Sequence, residues 1–440
     1  MLKPLASIVA VAAIGIGFGN FYLKRVPDMP QLDLERWWAD SVKPDHEDES
    51  IRPFKIEFND TMIEDLKNRL SNRRPYTPPL DGMQSKYGMN TIYLEKLLKY
   101  WLEKYNFKER SDRLNQFPHF KTKVQGLDIQ FIRVKPDVKD KKILPLLMMH
   151  GWPSSSKEFD KVIPTLTTPR DGYDFVFEVV AVDLPGFGFS EGTNKPGLNP
   201  VQIGIIMRNL MRRLGFKKFY IQAGDWGSQV GTHMATLFPD EISGECDDSG
   251  FQFSIQLLGK IMFSTKKYTN YEVLRLGTQY LAISLVREER SAALTDTPAG
   301  IAAYALEKIG ICCHRNQLDT LHGGLDNLDI DDLLDTMTIL WANEKITYSI
   351  RIYAEAFAWP EVFVLHNIPT KVPTAAINFA HEVIYQPDWI LRDKFPNLVH
   401  STTLDFGGHF AALHTPKALV DDVFESVAEF NKFNAKYKRT

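Results

Sequence analysis

The chain has 440 residues and carries 52 Lys and Arg against 55 Asp and Glu, a net charge of −3. Near-neutral charge without a basic run argues against a nucleic-acid partner. Three cysteines, of which Cys312 and Cys313 are adjacent, give neither a disulfide framework nor zinc spacing and suit a reducing compartment. At about 150 residues per domain, the length suits one large unit with additions.

The amino-terminal stretch Leu5 to Leu23 is apolar except for Ser7 and Asn20. It is just long enough for a bilayer, which takes about 20 residues. Lys24-Arg25 follows it, against Lys3 and the terminal amine before it, a bias toward a cytoplasmic body. Residues 1–25 are therefore expected to be an uncleaved single-pass anchor. Gly15, Gly17 and Gly19 keep a cleaved signal peptide as its rival. The acidic segment Pro44 to Ser50 reads as linker. Two helical patterns follow, Thr61 to Ser71 and Thr91 to Tyr105; the second puts Leu94, Leu97, Leu98, Trp101 and Leu102 on one stripe.

The apolar run Ile143 to Met149 reads as a central strand, and His150-Gly-Trp-Pro153 follows it. Phe175 to Val182 is a second such strand. Beyond it, Gly188-Phe-Ser190-Glu-Gly192 matches G-x-S-x-G, but a Pro- and Gly-containing loop follows where the serine-hydrolase motif requires a helix. Ser190 is accordingly set aside as nucleophile. The required context occurs later. Lys218 to Gln222 reads as a strand, Ala223-Gly224-Asp225-Trp226-Gly227 as a tight turn and Ser228 to Leu237 as a helix, the layout of a nucleophile elbow in an α/β-hydrolase. Its central residue is Asp225. A carboxylate, with a pKa of about 3.9, is already ionised and suits displacement at carbon, giving an ester. Backbone N–H groups of Trp152 and Trp226 are the expected oxyanion donors.

The stretch 250–350 reads as a lid inserted between core elements. Its Phe, Leu, Ile and Met content fits an apolar cleft and a packed helical core equally well. Lys371 to Phe379 and Leu398 to Leu404 read as strands. Glu382 stands at the exit of the first and His409, behind Gly407-Gly408, at the exit of the second. A loop imidazole with a pKa near 6.5 serves as a base, and a carboxylate orients it. Asp388, Asp393 and Asp405 are alternatives for the acid, and His400 and His414 for the base. The chain order nucleophile, acid, histidine is that of an α/β-hydrolase.

Together, His150-Gly-Trp-Pro153, Asp183-Leu-Pro-Gly-Phe-Gly-Phe-Ser190, Gly224-Asp-Trp-Gly227, Glu382 before Tyr385-Gln-Pro387, Gly407-Gly-His-Phe410, Trp37-Trp38 and Phe117-Pro-His-Phe-Lys-Thr122 resemble the microsomal-type epoxide hydrolases, and within them the insect juvenile hormone branch. The resemblance runs through nearly the whole chain. It implies an α/β-hydrolase fold with a mostly parallel sheet flanked by helices. It further implies an amino-terminal wrapping segment at 26–140, a core at 141–249 and 351–440, and the lid at 250–350. It implies that Asp225 opens the epoxide, that two lid tyrosines protonate the leaving oxygen, and that His409 and Glu382 activate water to release a vicinal diol, with no metal or organic cofactor. Tyr353, in Arg351-Ile-Tyr353-Ala-Glu-Ala-Phe357, matches the second tyrosine. For the first, an ungapped count back from Thr295-Asp-Thr-Pro-Ala-Gly300 lands on Gln279. Tyr280 is chosen with a one-residue deletion, and Tyr268 and Tyr271 are fallbacks. The expected partners are a small lipophilic epoxide and the endoplasmic reticulum or microsomal membrane, with the body cytosolic. A haloalkane dehalogenase and a hormone- or lipid-binding relative without turnover stay open as alternatives.

Overall fold

The computed structural model describes residues 26–247, 288–383 and 385–437. The expected anchor and the candidates Tyr268, Tyr271 and Tyr280 lie outside them. Among the described residues no helix is long and apolar enough to cross a membrane.

A single sheet of nine strands organises the described chain: β1 (Arg52–Phe54), β2 (His119–Val124), β3 (Leu127–Val134), β4 (Lys142–Met149), β5 (Phe175–Val182), β6 (Phe219–Ala223), β7 (Ile242–Asp247), β8 (Thr374–Asn378) and β9 (Leu398–Thr403). Their order is β1-β2-β3-β5-β4-β6-β7-β8-β9. β1, β2 and β3 run antiparallel at one edge; from β5 onward every pairing is parallel. This is the expected α/β-hydrolase architecture. β5 reads Phe-Val-Phe-Glu-Val-Val-Ala-Val and is buried at every position, as a strand covered on both faces must be. Alternate residues serve the two faces. On one, Leu147, Met149, Ile221 and Ala223 meet the Pro200–Arg213 and Asp225–Leu237 helices. On the other, Leu146, Met148, Phe177 and Val179 meet Val423, Phe424, Val427 and Phe430 of the Pro416–Lys436 helix.

The two amino-terminal helices form as their patterns predict, at Asp60–Ser71 and Thr91–Glu103, each capped by an asparagine whose side chain accepts from the first turn. Leu94, Leu97, Leu98 and Trp101 are buried; Leu102 is only partly covered. Between β7 and β8 the described chain is helical: Glu288–Thr295, Pro298–His314, Ile330–Ala342, Ile346–Ala358 and Pro360–His366. A division at residue 351 falls inside a helix, and the sheet resumes only at β8.

The amino-terminal segment grips this helical layer through one polar node. Asp335, on the Ile330–Ala342 helix, is fully buried. Its carboxylate accepts from Arg110 Nε at 2.9 Å, Arg110 Nη2 at 2.6 Å and the Tyr105 hydroxyl at 2.7 Å. Trp101 Nε1 donates to Thr338 Oγ1 at 3.0 Å one turn away. Lys157, from the turn after His150-Gly-Trp-Pro153, joins through Asp332 at 3.1 Å. A buried ion pair adds little net stability against an apolar alternative, but removing one partner strands a charge. Asp335→Ala is therefore expected to cost about 3 kcal/mol of unfolding free energy. Asp112→Ala, which removes an exposed pair with Lys108, is expected to leave the denaturant midpoint unchanged. Equal effects would remove the node's importance.

Candidate active site

β4 and β6 lie side by side with Met149 opposite Ala223, so the two turns that leave their carboxyl ends meet. Ligand sites of open parallel sheets sit at this edge. At the end of β6, Asp225 begins the Asp225–Leu237 helix with φ +50°, a left-handed conformation disfavoured for a non-glycine residue. The turn is tight enough to require its glycines. A Cβ on Gly151 would stand 2.0 Å from Asp225 Oδ1, and one on Gly227 would stand 2.4 Å from the Met149 carbonyl. The carboxylate is thus pressed against the loop after β4, and Oδ1 accepts the Trp152 N–H at 2.8 Å. The Trp226 N–H also donates to the Asp225 carboxylate.

His409 and Glu382 arrive from the ends of β9 and β8. Gly407, at φ +77°, lies where a Cβ would meet the Phe379 ring at 2.6 Å, and its carbonyl accepts the His381 N–H at 3.0 Å, which locks the two loops together. His409 Nδ1 donates to Glu382 Oε1 at 2.7 Å, and Nε2 faces Asp225 Oδ2 at 3.4 Å. Glu382 Oε1 also accepts the Val383 N–H at 2.7 Å, and Arg315 donates to the Glu382 carbonyl. All three side chains are less than one-tenth exposed. Burial alone would raise the Asp225 pKa and lower that of His409. For Asp225, burial is outweighed by His409 and the two backbone amides, and the carboxyl is held below the usual range. For His409, the Glu382 and Asp225 carboxylates win and hold the imidazole well above its ordinary value.

Tyr353, on the Ile346–Ala358 helix, is buried with its ring 4.8 Å from that of Trp226 and 6.3 Å from that of Trp152. The Tyr353 ring meets the Trp226 indole edge to face, at 89°. Burial first, then the Asp225 charge, raises the phenol well above its usual pKa, so it keeps its proton. Sequence reasoning missed Tyr304, whose ring packs 5.4 Å from Trp152. On the Pro298–His314 helix it shares a stripe with Lys308 and Cys312, and the Cys312 carbonyl accepts the His409 N–H at 3.0 Å. That helix therefore lies across the site from the Trp152 end to the His409 end.

The rivals fall elsewhere. Ser190 is buried in a structural role: its hydroxyl donates to the Asp183 carbonyl at 2.6 Å and accepts the Gln130 N–H at 2.8 Å. His400 pairs with Asp422 at 3.0 Å, and the His414 ring packs against His314. Asp388, Asp393 and Asp405 are exposed. His150 is buried as a turn fastener, accepting the Leu184 N–H at 3.2 Å through Nε2 while Nδ1 donates to the Gly151 carbonyl at 2.8 Å.

Residues 51–159 match the epoxide hydrolase N terminus family model, and residues 145–245 match the alpha/beta hydrolase fold model. A juvenile hormone epoxide hydrolase of Manduca sexta is 60% identical, over 99% of this chain and 98% of that one. The chain belongs to the epoxide hydrolases. Epoxide hydrolase 1 of Oryctolagus cuniculus is 38% identical over 94% of this chain and 96% of its own. The crystal structure of juvenile hormone epoxide hydrolase from the silkworm Bombyx mori matches with a TM-score of 0.87 at 39% identity, covering 92% of this chain and all of that one.

The electrostatics of this epoxide hydrolase yield a prediction that does not depend on turnover. In His409→Gln the cation that keeps Asp225 ionised is gone, so burial is opposed only by the two amides and the carboxyl pKa rises. The infrared band of a protonated buried carboxyl, assigned by its loss in Asp225→Asn, is expected to appear at a higher pH in His409→Gln than in the wild type. Appearance at the same pH would show that His409 does not hold the charge.

Proposed function

We propose that this epoxide hydrolase converts lipophilic epoxides to vicinal diols through an ester on Asp225. The observation that carries the proposal is the unequal treatment of the two carboxylate oxygens: Oδ1 is tied to the Trp152 amide at 2.8 Å, while Oδ2 faces His409 Nε2 at 3.4 Å. Oδ2 is the attacking atom. It bonds to a ring carbon as the carbon–oxygen bond of the epoxide breaks, and a tyrosine proton passes to the oxygen released. Tyr353 supplies this proton, with Tyr280 assigned as its partner on the family pattern. Once the ester forms, His409 no longer faces the Asp225 charge and releases to solvent the proton that charge had held; the neutral imidazole then takes a proton from water, and Glu382 fixes its tautomer and orientation. The hydroxide oxygen adds to Asp225 Cγ. Oδ1 gains charge at that step, and the Trp152 and Trp226 amides stabilise it; losing one such donor typically costs about a hundredfold to a thousandfold. Hydrolysis leaves the carboxylate, the alcohol and one proton, which restores the tyrosine.

A juvenile hormone is the proposed natural substrate, supported by the identity to the Manduca relative over nearly the full chain. The haloalkane dehalogenase alternative is not favoured, because the relatives matched over nearly the full chain are epoxide hydrolases. We assign residues 1–25 as an anchor in the endoplasmic reticulum membrane, with the body cytosolic. The apolar run and the Lys24-Arg25 pair support that assignment. The wrapping segment is placed at 26–140, the first half of the core at 141–249, and the lid from 250 through His366.

With a juvenile hormone as substrate, the wild type is expected to release diol, and His409→Gln to accumulate a substrate-mass adduct on the peptide containing Asp225. Adding Tyr353→Phe to that variant is expected to slow adduct formation by about a hundredfold or more. An adduct on Ser190, or on no residue, would overturn the scheme.

A further inference from the structure

Trp152 carries two N–H groups, and the scheme above uses one. Its backbone amide donates to Asp225 Oδ1 at 2.8 Å. Its indole Nε1–H is buried and meets no acceptor among the described residues. The residue is only 5% exposed, so bulk water does not reach that group. An indole nitrogen can only donate, and a buried donor left unmet costs about as much as a lost hydrogen bond. The indoles of Trp37, Trp101 and Trp359 all find acceptors, at 2.8, 3.0 and 2.6 Å. Trp38 shares the deficit of Trp152, so the deficit is informative only together with position. The position is that of the chemistry. The indole belongs to the residue whose amide touches the nucleophile. It packs edge-on against Tyr353, the proposed proton donor, and against Tyr304, with ring centres 6.3 and 5.4 Å away. Those tyrosines come from the Ile346–Ala358 and Pro298–His314 helices, so the indole stands where the helical layer meets the Asp225 loop.

We propose that the Trp152 indole N–H is a catalytic donor for ring opening: beside Tyr353, it hydrogen-bonds the epoxide oxygen as that oxygen becomes an alkoxide. The inference rests on the ester mechanism proposed above. In displacement by Asp225 Oδ2 the breaking carbon–oxygen bond points away from the nucleophile, toward the helical cover that carries Tyr353. A lipophilic epoxide brings one oxygen to this wall of rings, and that oxygen is the atom that gains charge. Oδ2 bonds to the ring carbon, the electron pair of the broken bond stays on oxygen, and Tyr353 gives that oxygen its proton. The indole keeps its own proton. Its hydrogen bond strengthens as charge accumulates on the acceptor, so it favours the transition state over the bound epoxide. Trp152 thereby serves the two half-reactions with different atoms. Its side chain acts as the ester forms, and its backbone amide acts as the ester is hydrolysed.

The test removes the indole N–H and keeps an aromatic ring. Trp152 is replaced by benzothienylalanine, in which sulfur stands where the N–H does, and separately by Trp152→Phe. Formation of the Asp225 adduct is followed by rapid quench in the His409→Gln background, where hydrolysis is blocked. Decay of the adduct is followed in a single turnover with His409 present. The sulfur isostere is expected to form adduct about tenfold or more slowly, and to hydrolyse it at the wild-type rate because the backbone amide is untouched. The loss should grow along a series of epoxides whose alkoxides are increasingly basic, from fluoroalkyl to alkyl, a trend that ring packing alone would not produce. Trp152→Phe should follow the isostere. Unchanged adduct formation in the isostere would overturn the proposal. So would an equal slowing of both steps, which would mean that the ring only supports the loop carrying the amide. If His409→Gln with Trp152 intact traps no adduct, the ester mechanism itself fails, and the indole loses its role with it.

Discussion

The site depends on one close approach, the contact between the Asp225 carboxylate and the backbone of Gly151 and Trp152. It requires a left-handed residue at the head of a helix and glycines at 151 and 227, because any side chain there would overlap the acid or the β4 carbonyls. Such a turn is strained by roughly 1–2 kcal/mol, and the sheet that holds both of its flanks supplies the constraint. In return one carboxylate oxygen is fixed in the amide pocket before substrate arrives. In the proposed scheme the pocket would meet the same oxygen in the resting acid, in the ester and in the tetrahedral intermediate, so no reorganisation would be needed as charge develops on it.

The remaining elements serve to keep a charged row dry. Asp225, His409 and Glu382 are nearly enclosed, and burial of each ion is tolerable only because each has a partner at hydrogen-bonding or ion-pair distance. The enclosure comes from the helices between β7 and β8. Their placement depends in turn on the amino-terminal segment, whose Arg110 and Tyr105 close on Asp335. Lys157 brings the loop after β4 into the same node. The segment between β1 and β2 thereby holds both the helical cover and the loop of the amide pocket.

Much of this is legible in the chain. β5 runs from Phe175 to Val182 as its apolar run predicts, and β4, β6, β8 and β9 shift by only one to three residues at their ends. Asp225, His409 and Glu382 are legible because each follows a strand at the same edge of a parallel sheet, so position in sequence translates into position in space. Ser190 is rejected on the same ground, since a loop and not a helix follows it. Tyr304 carries no such signal. Tyr304 reads as one aromatic of an apolar helix, and only the docking of that helix onto Trp152 gives it a place. The carboxyl end of the helical stretch between β7 and β8 was also hidden, because the Ile346–Ala358 helix runs unbroken across residue 351.

The central claim is that the second oxygen of the diol comes from the Asp225 carboxylate, which solvent then replenishes. A single turnover in heavy-oxygen water, with enzyme in excess over epoxide, tests it most directly. The account predicts one heavy oxygen in the Asp225 peptide and none in the diol, because water attacks the ester carbonyl and the alcohol leaves with an oxygen of the enzyme. Heavy oxygen in the diol with Asp225 unlabelled would mean direct attack of water on the epoxide and would contradict the account.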